Sequence, residues 1–327
     1  MRTLFLLLST LLLIATAEAA PSSYRNAAVA FVTETATRHG LDAEALATLI
    51  AAAEYRQEII DAMEQPYEGK PWHRYRALFL TSERITGGRA FHAAHAEQLT
   101  RAQARYGVPA PVIVAIIGIE TRYGEVLGRH RALDALTTLG FSYPRRAAFF
   151  RRELEQLILL GAEEEIDLRA VRGSYAGALG MPQFIPSSYR AYAVDFDGDG
   201  RRDLWHSSAD VIGSVANYLA RHGWRAGSPV AIPLERPPTT IPAVVRKAPR
   251  APATTLGALR AAGIDPAAAT GFAPETPANL MCLDGGAVGE RCWITFANFY
   301  AITRYNHSNL YAMAVHQLSE AIGEPPP

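Results

Sequence analysis

Pro109-Ala110-Pro111-Val112-Ile113-Val114-Ala115-Ile116-Ile117-Gly118-Ile119-Glu120-Thr121-Arg122-Tyr123-Gly124 is the stretch that decides how this chain is read. Two prolines suit the first turn of a helix, where a missing N–H costs nothing, and Gly124 suits the end of one. Between them the residues are apolar on every side, so the helix is expected to be buried rather than amphipathic. Glu120 closes that run. A carboxylate in such surroundings is expensive to keep ionised, and desolvation raises its pKa, as a general acid working near neutral pH requires. The plainer alternative is a glutamate that marks where the helix surfaces into water.

Outward from this helix, the first 19 residues read as a cleavable export signal. Arg2 gives the positive start, Leu4 to Ile14 the apolar region, and Ala17-Glu18-Ala19 the small-x-small cleavage pattern. No cysteine lies near that point, so a soluble exported protein without a lipid or membrane anchor is expected. The periplasm of a Gram-negative bacterium is the compartment this suggests. Cys282 and Cys292 are the only cysteines. In an oxidising compartment they would pair and close a short loop, the alternative being two unpaired thiols. Lys and Arg together number 32, as do Asp and Glu. That balance gives no electrostatic argument for nucleic acid or an anionic membrane surface as a partner.

Residues 20–103 carry helical patterns rich in Ala, Leu and charge, broken at Pro66, Pro71 and Gly87-Gly88. Further helices joined by a long Gly-rich loop run through 104–228. From 229 to 297 the chain turns Pro-rich and then alternates, which suits a linker and strands around the cysteine pair. A final helix is expected within 298–327. The fold class is mainly α, with one small β-rich part.

Three further segments carry chemistry. Gly173-Ser174-Tyr175-Ala176-Gly177-Ala178-Leu179-Gly180-Met181-Pro182-Gln183-Phe184 offers small residues for close backbone approach and Ser174 and Gln183 as neutral hydrogen-bonding groups. Phe184 adds aromatic surface, a lining that suits a sugar's hydroxyl edges and C–H faces. An ordinary loop between helices is the alternative. Asp195-Phe196-Asp197-Gly198-Asp199-Gly200-Arg201 matches the first half of an EF-hand loop, with alternate carboxylates directed at a hard cation and glycine at the sharp turn. His206 stands where the bidentate glutamate would be, and Asp210 is the candidate to close the shell. Arg304-Tyr305-Asn306-His307-Ser308, with Tyr311 beyond, could line a saccharide groove. The acidic run Glu163-Glu164-Glu165 reads as a solvated face.

Ile119-Glu120-Thr121-Arg122-Tyr123-Gly124, the Gly-Ser-Tyr-Ala-Gly-Ala-Leu-Gly loop with Gln183-Phe184-Ile185-Pro186-Ser187-Ser188-Tyr189, the Asp-Phe-Asp-Gly-Asp-Gly segment and Arg304-Tyr305-Asn306-His307-Ser308 occur in one order. Together they resemble the lytic murein transglycosylase B family, glycoside hydrolase family 103, over about Trp72 to Gln317. The resemblance implies a lysozyme-like helical core, a further helical domain, a small β-rich domain and bound structural Ca2+. It implies Glu120 as the sole catalytic acid/base, and Ser174 and Gln183 as groups that contact the sugar's N-acetyl arm. Tyr75, Tyr218, Tyr305, Asn306 and Tyr311 become groove residues, and Arg145 and Arg146 a basic pair for a peptide or lactyl carboxylate. The calcium shell becomes Asp195, Asp197, Asp199, the Arg201 carbonyl and Asp210.

The implied activity is non-hydrolytic cleavage of the β-1,4 bond between N-acetylmuramic acid and N-acetylglucosamine in peptidoglycan glycan strands. Glycosidases normally use two carboxylates; the matched motifs supply one, which fits attack by the substrate's own C6 hydroxyl. A hydrolysing muramidase on the same scaffold and a non-catalytic, calcium-dependent peptidoglycan-binding protein are the rivals. The chain departs from the family pattern in three places. Phe149 stands where a groove tyrosine is usual, Met181-Pro182 precedes Gln183 in place of Tyr-Gly, and one extra residue separates Trp205 from Asp210.

Overall fold

The computed structural model describes residues 21–64, 70–241, 250–265, 269 and 271–324; the expected export signal lies outside them. The first helices are Ser22–His39 (α1), Ala43–Ala51 (α2), Gln57–Glu64 (α3), Trp72–Phe79 (α4), Ser82–Ala94 (α5) and Ala96–Tyr106 (α6). Next come Ala110–Thr121 (α7), strand His130–Arg131 (β1), Ala132–Ser142 (α8), Ala147–Glu163 (α9) and strand Arg172–Gly173 (β2). Helices Pro186–Tyr192 (α10) and Ser208–Arg221 (α11) lead to strands Ala231–Pro233 (β3) and Thr254–Thr255 (β4). Leu256–Ala261 (α12), strands Pro277–Asp284 (β5) and Glu290–Thr295 (β6), Ala297–Ile302 (α13) and Asn309–Gly323 (α14) complete the order. The mainly α class with a small β part is what the structure contains.

The apolar helix is α7, and Val112 to Ile119 are all buried. It packs on α14, α5, α6 and α11, so the last helix of the chain closes over the middle of the sequence. One hydrophobic core runs from Tyr24 to Ile322 and takes in residues on both sides of position 103, among them Ala102 and Val108. A second, smaller core, with Ile232, Leu256, Leu280, Ile294 and Phe296, belongs to the β-rich part. There the strands order β3-β6-β5-β4, each pair antiparallel. Cys282 lies opposite Cys292 in the β5–β6 register, and the two form a disulfide. β1 and β2 make a separate antiparallel pair in front of α8.

α7 ends earlier than its glycine suggests. Arg122 takes the left-handed cap at φ 51°, its N–H reaching Gly118 O, and Tyr123 follows at φ 63°. Side chains with a Cβ rarely adopt this conformation, and consecutive instances are held only where the surroundings over-determine them. Those surroundings are specific. The Tyr123 hydroxyl donates to Arg84 O at 2.7 Å, and Arg84 Nε donates to Gly118 O at 3.0 Å, in the last turn of α7. Gly118 is where Tyr123 crosses the helix: a Cβ there would stand 2.4 Å from the Tyr123 hydroxyl.

Glu163 and Glu165 are exposed, as a solvated face requires, whereas Glu164 is partly buried. Glu163 pairs with Arg190, Glu164 with Arg202, and Glu165 with Arg201. The run ties the end of α9 to α10 and to the Asp-rich loop, because each arginine it meets lies on one of those two segments.

Candidate active site

Glu120 sits in the last turn of α7, partly exposed, with Tyr311 of α14 beside it. The Tyr311 hydroxyl donates to Glu120 Oε1 at 2.6 Å. Burial dominates the carboxyl's electrostatics and pushes its pKa up from 4.5 to about 7, while the Tyr311 hydrogen bond pulls the other way. At neutral pH the group is therefore divided between its acid and its base form, the state a single residue needs to give a proton and take one back.

The Gly-rich loop is drawn to the same place. Thr121 Oγ1 donates to Met181 O at 2.9 Å and accepts from the Gly124 N–H. Tyr305 donates to Pro182 O at 2.7 Å and stacks on Tyr311 with ring centres 6.4 Å apart. Met181 N in turn donates to Leu204 O at 2.8 Å, which links this loop to the Asp-rich loop. Gly180 must be glycine for that approach: its φ is +66°, and a Cβ would lie 2.5 Å from Leu204 O.

Ser174 Oγ accepts from the Ala176 and Ala178 N–H groups, so its proton is the capacity those contacts leave for a ligand. Gln183 adopts φ +51°, and its Nε2 donates to Gly180 O and Leu127 O. Its carbonyl oxygen is the part of the amide those bonds do not use, suited to accept an N–H.

Behind these groups stands a ring cluster. Phe184 lies 5.4 Å from Tyr218 and 5.7 Å from Tyr305, and Tyr218 lies 4.8 Å from Tyr305. Phe184 is only 2 % exposed. The expected sugar contact at Phe184 is thus replaced by support from behind, since its ring is covered by the two tyrosines. The Tyr218 hydroxyl is engaged by Arg304 O at 2.6 Å. Tyr75, on α4, is close enough to Tyr311 to raise the latter's pKa and packs on Phe79. Asn306 is partly exposed next to Tyr305. Arg145 and Arg146 are exposed in the turn between α8 and α9, where Arg146 covers the Phe149 ring at 4.3 Å. Among the described residues, no hydrogen bond or ion pair joins Arg145 or Arg146 to Glu120.

In the Asp-rich loop, carboxylate oxygens of Asp195, Asp197 and Asp210 come within 4.8 Å of one another. Asp210 is fully buried and accepts from Phe196 N at 2.7 Å and Asp203 N at 2.8 Å. Burial pushes its pKa up to about 6, and Asp197 adds repulsion. N–H groups of Gly200, Gly198 and Asp199 hold the Asp195 carboxyl below its usual range. Asp199 does not join the convergent group. Its carboxylate turns back to the Arg201 N–H at 2.8 Å. Three clustered carboxylates fit a hard, oxygen-seeking cation.

Sequence reasoning missed Ser207, which caps α11 and donates to Asp197 Oδ2 at 2.7 Å. A serine three residues before Asp210 is a helix-start signal that could have found it. It also missed Arg84 and Tyr123, whose role depends on a contact across 39 residues that no local pattern carries.

A family profile described as the transglycosylase SLT domain matches residues 23–320. The chain belongs to that family. Membrane-bound lytic murein transglycosylase B of Escherichia coli (strain K12) is 41% identical over 308 residues, covering 89% of this chain and 81% of that protein. Soluble lytic transglycosylase SltB1 from Pseudomonas aeruginosa superposes with a TM-score of 0.84 at 44% identity, covering 90% of this chain and 97% of the other. Escherichia coli lytic transglycosylase Slt35, solved in complex with calcium, superposes with a TM-score of 0.81 at 41% identity, covering 90% of this chain and 92% of that one. The chain is an enzyme of the lytic transglycosylase kind, with the lysozyme-like, mainly α fold of these relatives.

Proposed function

We propose that this transglycosylase cuts the bond between N-acetylmuramic acid and N-acetylglucosamine in peptidoglycan with Glu120 as its one acid and base. The supporting observation is the raised pKa of Glu120, about 7, beside a phenol that donates to it. Neutral Glu120 protonates the glycosidic oxygen as the C1–O bond breaks, and the N-acetyl carbonyl oxygen of the muramic residue shields the positive charge at C1. The carboxylate so formed removes the proton of the C6 hydroxyl. O6 then bonds to C1, giving a 1,6-anhydro end and restoring neutral Glu120. No water is consumed, and the nucleophile needs no capture because it rides on the same ring. Ser174 and Gln183 are suited to hold the N-acetyl arm through the proton and the carbonyl that their frame contacts leave over.

In this account calcium is structural. Asp195, Asp197 and Asp210 would hold it, and the chain from Leu204 through Met181 to Thr121 connects their loop to the residue beside Glu120. An export signal over residues 1–19 and action in the periplasm complete the proposal. Glu120→Gln is expected to abolish lysis of purified sacculi while the protein stays folded by circular dichroism. Lysis retained in that variant would reject the assignment.

A further inference from the structure

α4 and α14 each have a second working face. At about 100° of turn per residue, Gln317, Glu320 and Glu324 lie on the side of α14 away from Tyr311. With Trp72 and Arg76 of α4 and Arg291 and Trp293 of β6, they enclose a cavity of about 550 Å3. Its volume is within the range that holds small ligands, roughly 300–1,000 Å3. Two arginines and two glutamates are among its lining residues. Arg76 Nε donates to Gln317 at 2.7 Å, which leaves its terminal nitrogens, and Arg291 lies 5.9 Å from the Trp293 ring centre. Glu320 lies 3.5 Å from His316 and near enough to Glu324 to feel its charge, and among the described residues no ion pair joins Arg76 or Arg291 to either glutamate. Arg76, Arg291, Glu320 and Glu324 are all exposed.

We propose that this cavity is a second binding site, distinct from the Glu120 groove, for a short zwitterionic peptide. Its carboxylate would meet Arg76 and Arg291, its ammonium Glu320 and Glu324, and its methyl groups the exposed Val288 on the cavity lining. A neutral sugar would leave four charges unused, and a polyanion would be repelled by the glutamates. Arginine is suited to such a carboxylate because its fork can donate two parallel bonds. The inference rests on the proposed function, since peptidoglycan strands carry peptides with free carboxylates and an amine. The site would then hold a strand by a peptide while the groove cuts its glycan.

The test is titration of the full mature chain with the tripeptide N-acetyl-L-Ala-γ-D-Glu-meso-diaminopimelate, whose one ammonium is the diaminopimelate amine, followed by calorimetry and by backbone amide shifts. Shifts are expected around Arg291 and Glu324, and Arg291→Gln and Glu324→Gln should each weaken binding by about three- to tenfold. Acetylating the diaminopimelate amine should weaken binding similarly and make it insensitive to Glu324→Gln. Cleavage of peptide-free glycan strands, measured on the same proteins, should be unchanged in both variants. No binding, affinity unaltered in both variants, or shifts confined to the Glu120 groove would overturn the site. Absence of anhydro ends from purified sacculi with the wild-type chain would instead overturn the proposed function.

Discussion

The hydroxyl of Tyr311 donates to Glu120 Oε1 at 2.6 Å, although burial raises the pKa of both groups. The two effects oppose each other at the carboxyl. Loss of water favours the proton, and the phenol favours the charge. Their balance leaves Glu120 near 7, where neither form is dear to reach.

Removing the phenol should tip that balance. Tyr311→Phe deletes a bond that stabilises the carboxylate, so the Glu120 pKa should rise further. The alkaline limb of the kcat/KM profile, where the acid form is lost, should move up by about one unit, the worth of one hydrogen bond to a charged group. A limb that stays in place would show that Tyr311 does not govern the proton.

Stability should carry the same signature. The folded pKa of about 7 lies above the unfolded value of 4.5, so the carboxyl's contribution to folding is fully present below about 4.5 and is lost as pH rises through about 7. Glu120→Gln, which is never charged, should match the wild type in urea unfolding near pH 4 and exceed it near pH 8 by about 2–3 kcal/mol. An equal difference at both pH values would mean the site is not desolvating its carboxyl.

At Gly118 the usual helix rule should invert. Alanine normally stabilises a helix interior by about 1 kcal/mol over glycine. Here its Cβ would stand 2.4 Å from the Tyr123 hydroxyl, which crosses the helix on its way to Arg84 O. Gly118→Ala should therefore lower stability by about 1–3 kcal/mol and reduce kcat more than it changes KM, because the displaced segment directly follows Glu120. A stabilised, fully active variant would remove Tyr123 from the account.

Much of this was written in the chain. The apolar run before Glu120 predicted a buried helix because no face of it could be turned to water, and α7 is buried from Val112 to Ile119. The alternating aspartates predicted a cation site; Asp195 and Asp197 converge with Asp210, whereas Asp199 turns away. What escaped was long-range. Glu164 looked like solvated charge because the arginine that pairs with it lies at position 202. Phe184 looked like groove surface because a sequence does not show which ring of a cluster is in front.

The cation should matter chiefly for shape. Chelator is expected to lower the melting temperature, since an ion that binds only the folded chain stabilises it by mass action. Asp197→Asn should blunt that response, because Asp197 is one of the three convergent carboxylates. An identical melting curve with and without chelator, in a protein that holds no metal as purified, would count against the site.

Mass spectrometry of the fragments released from purified sacculi bears most directly on the one-carboxyl mechanism. The wild-type chain should yield muropeptides ending in 1,6-anhydro-N-acetylmuramic acid, each one water lighter than the hydrolytic product, and Glu120→Gln should yield none. Reducing ends from the wild-type chain would show that water, not the C6 hydroxyl, completes the reaction.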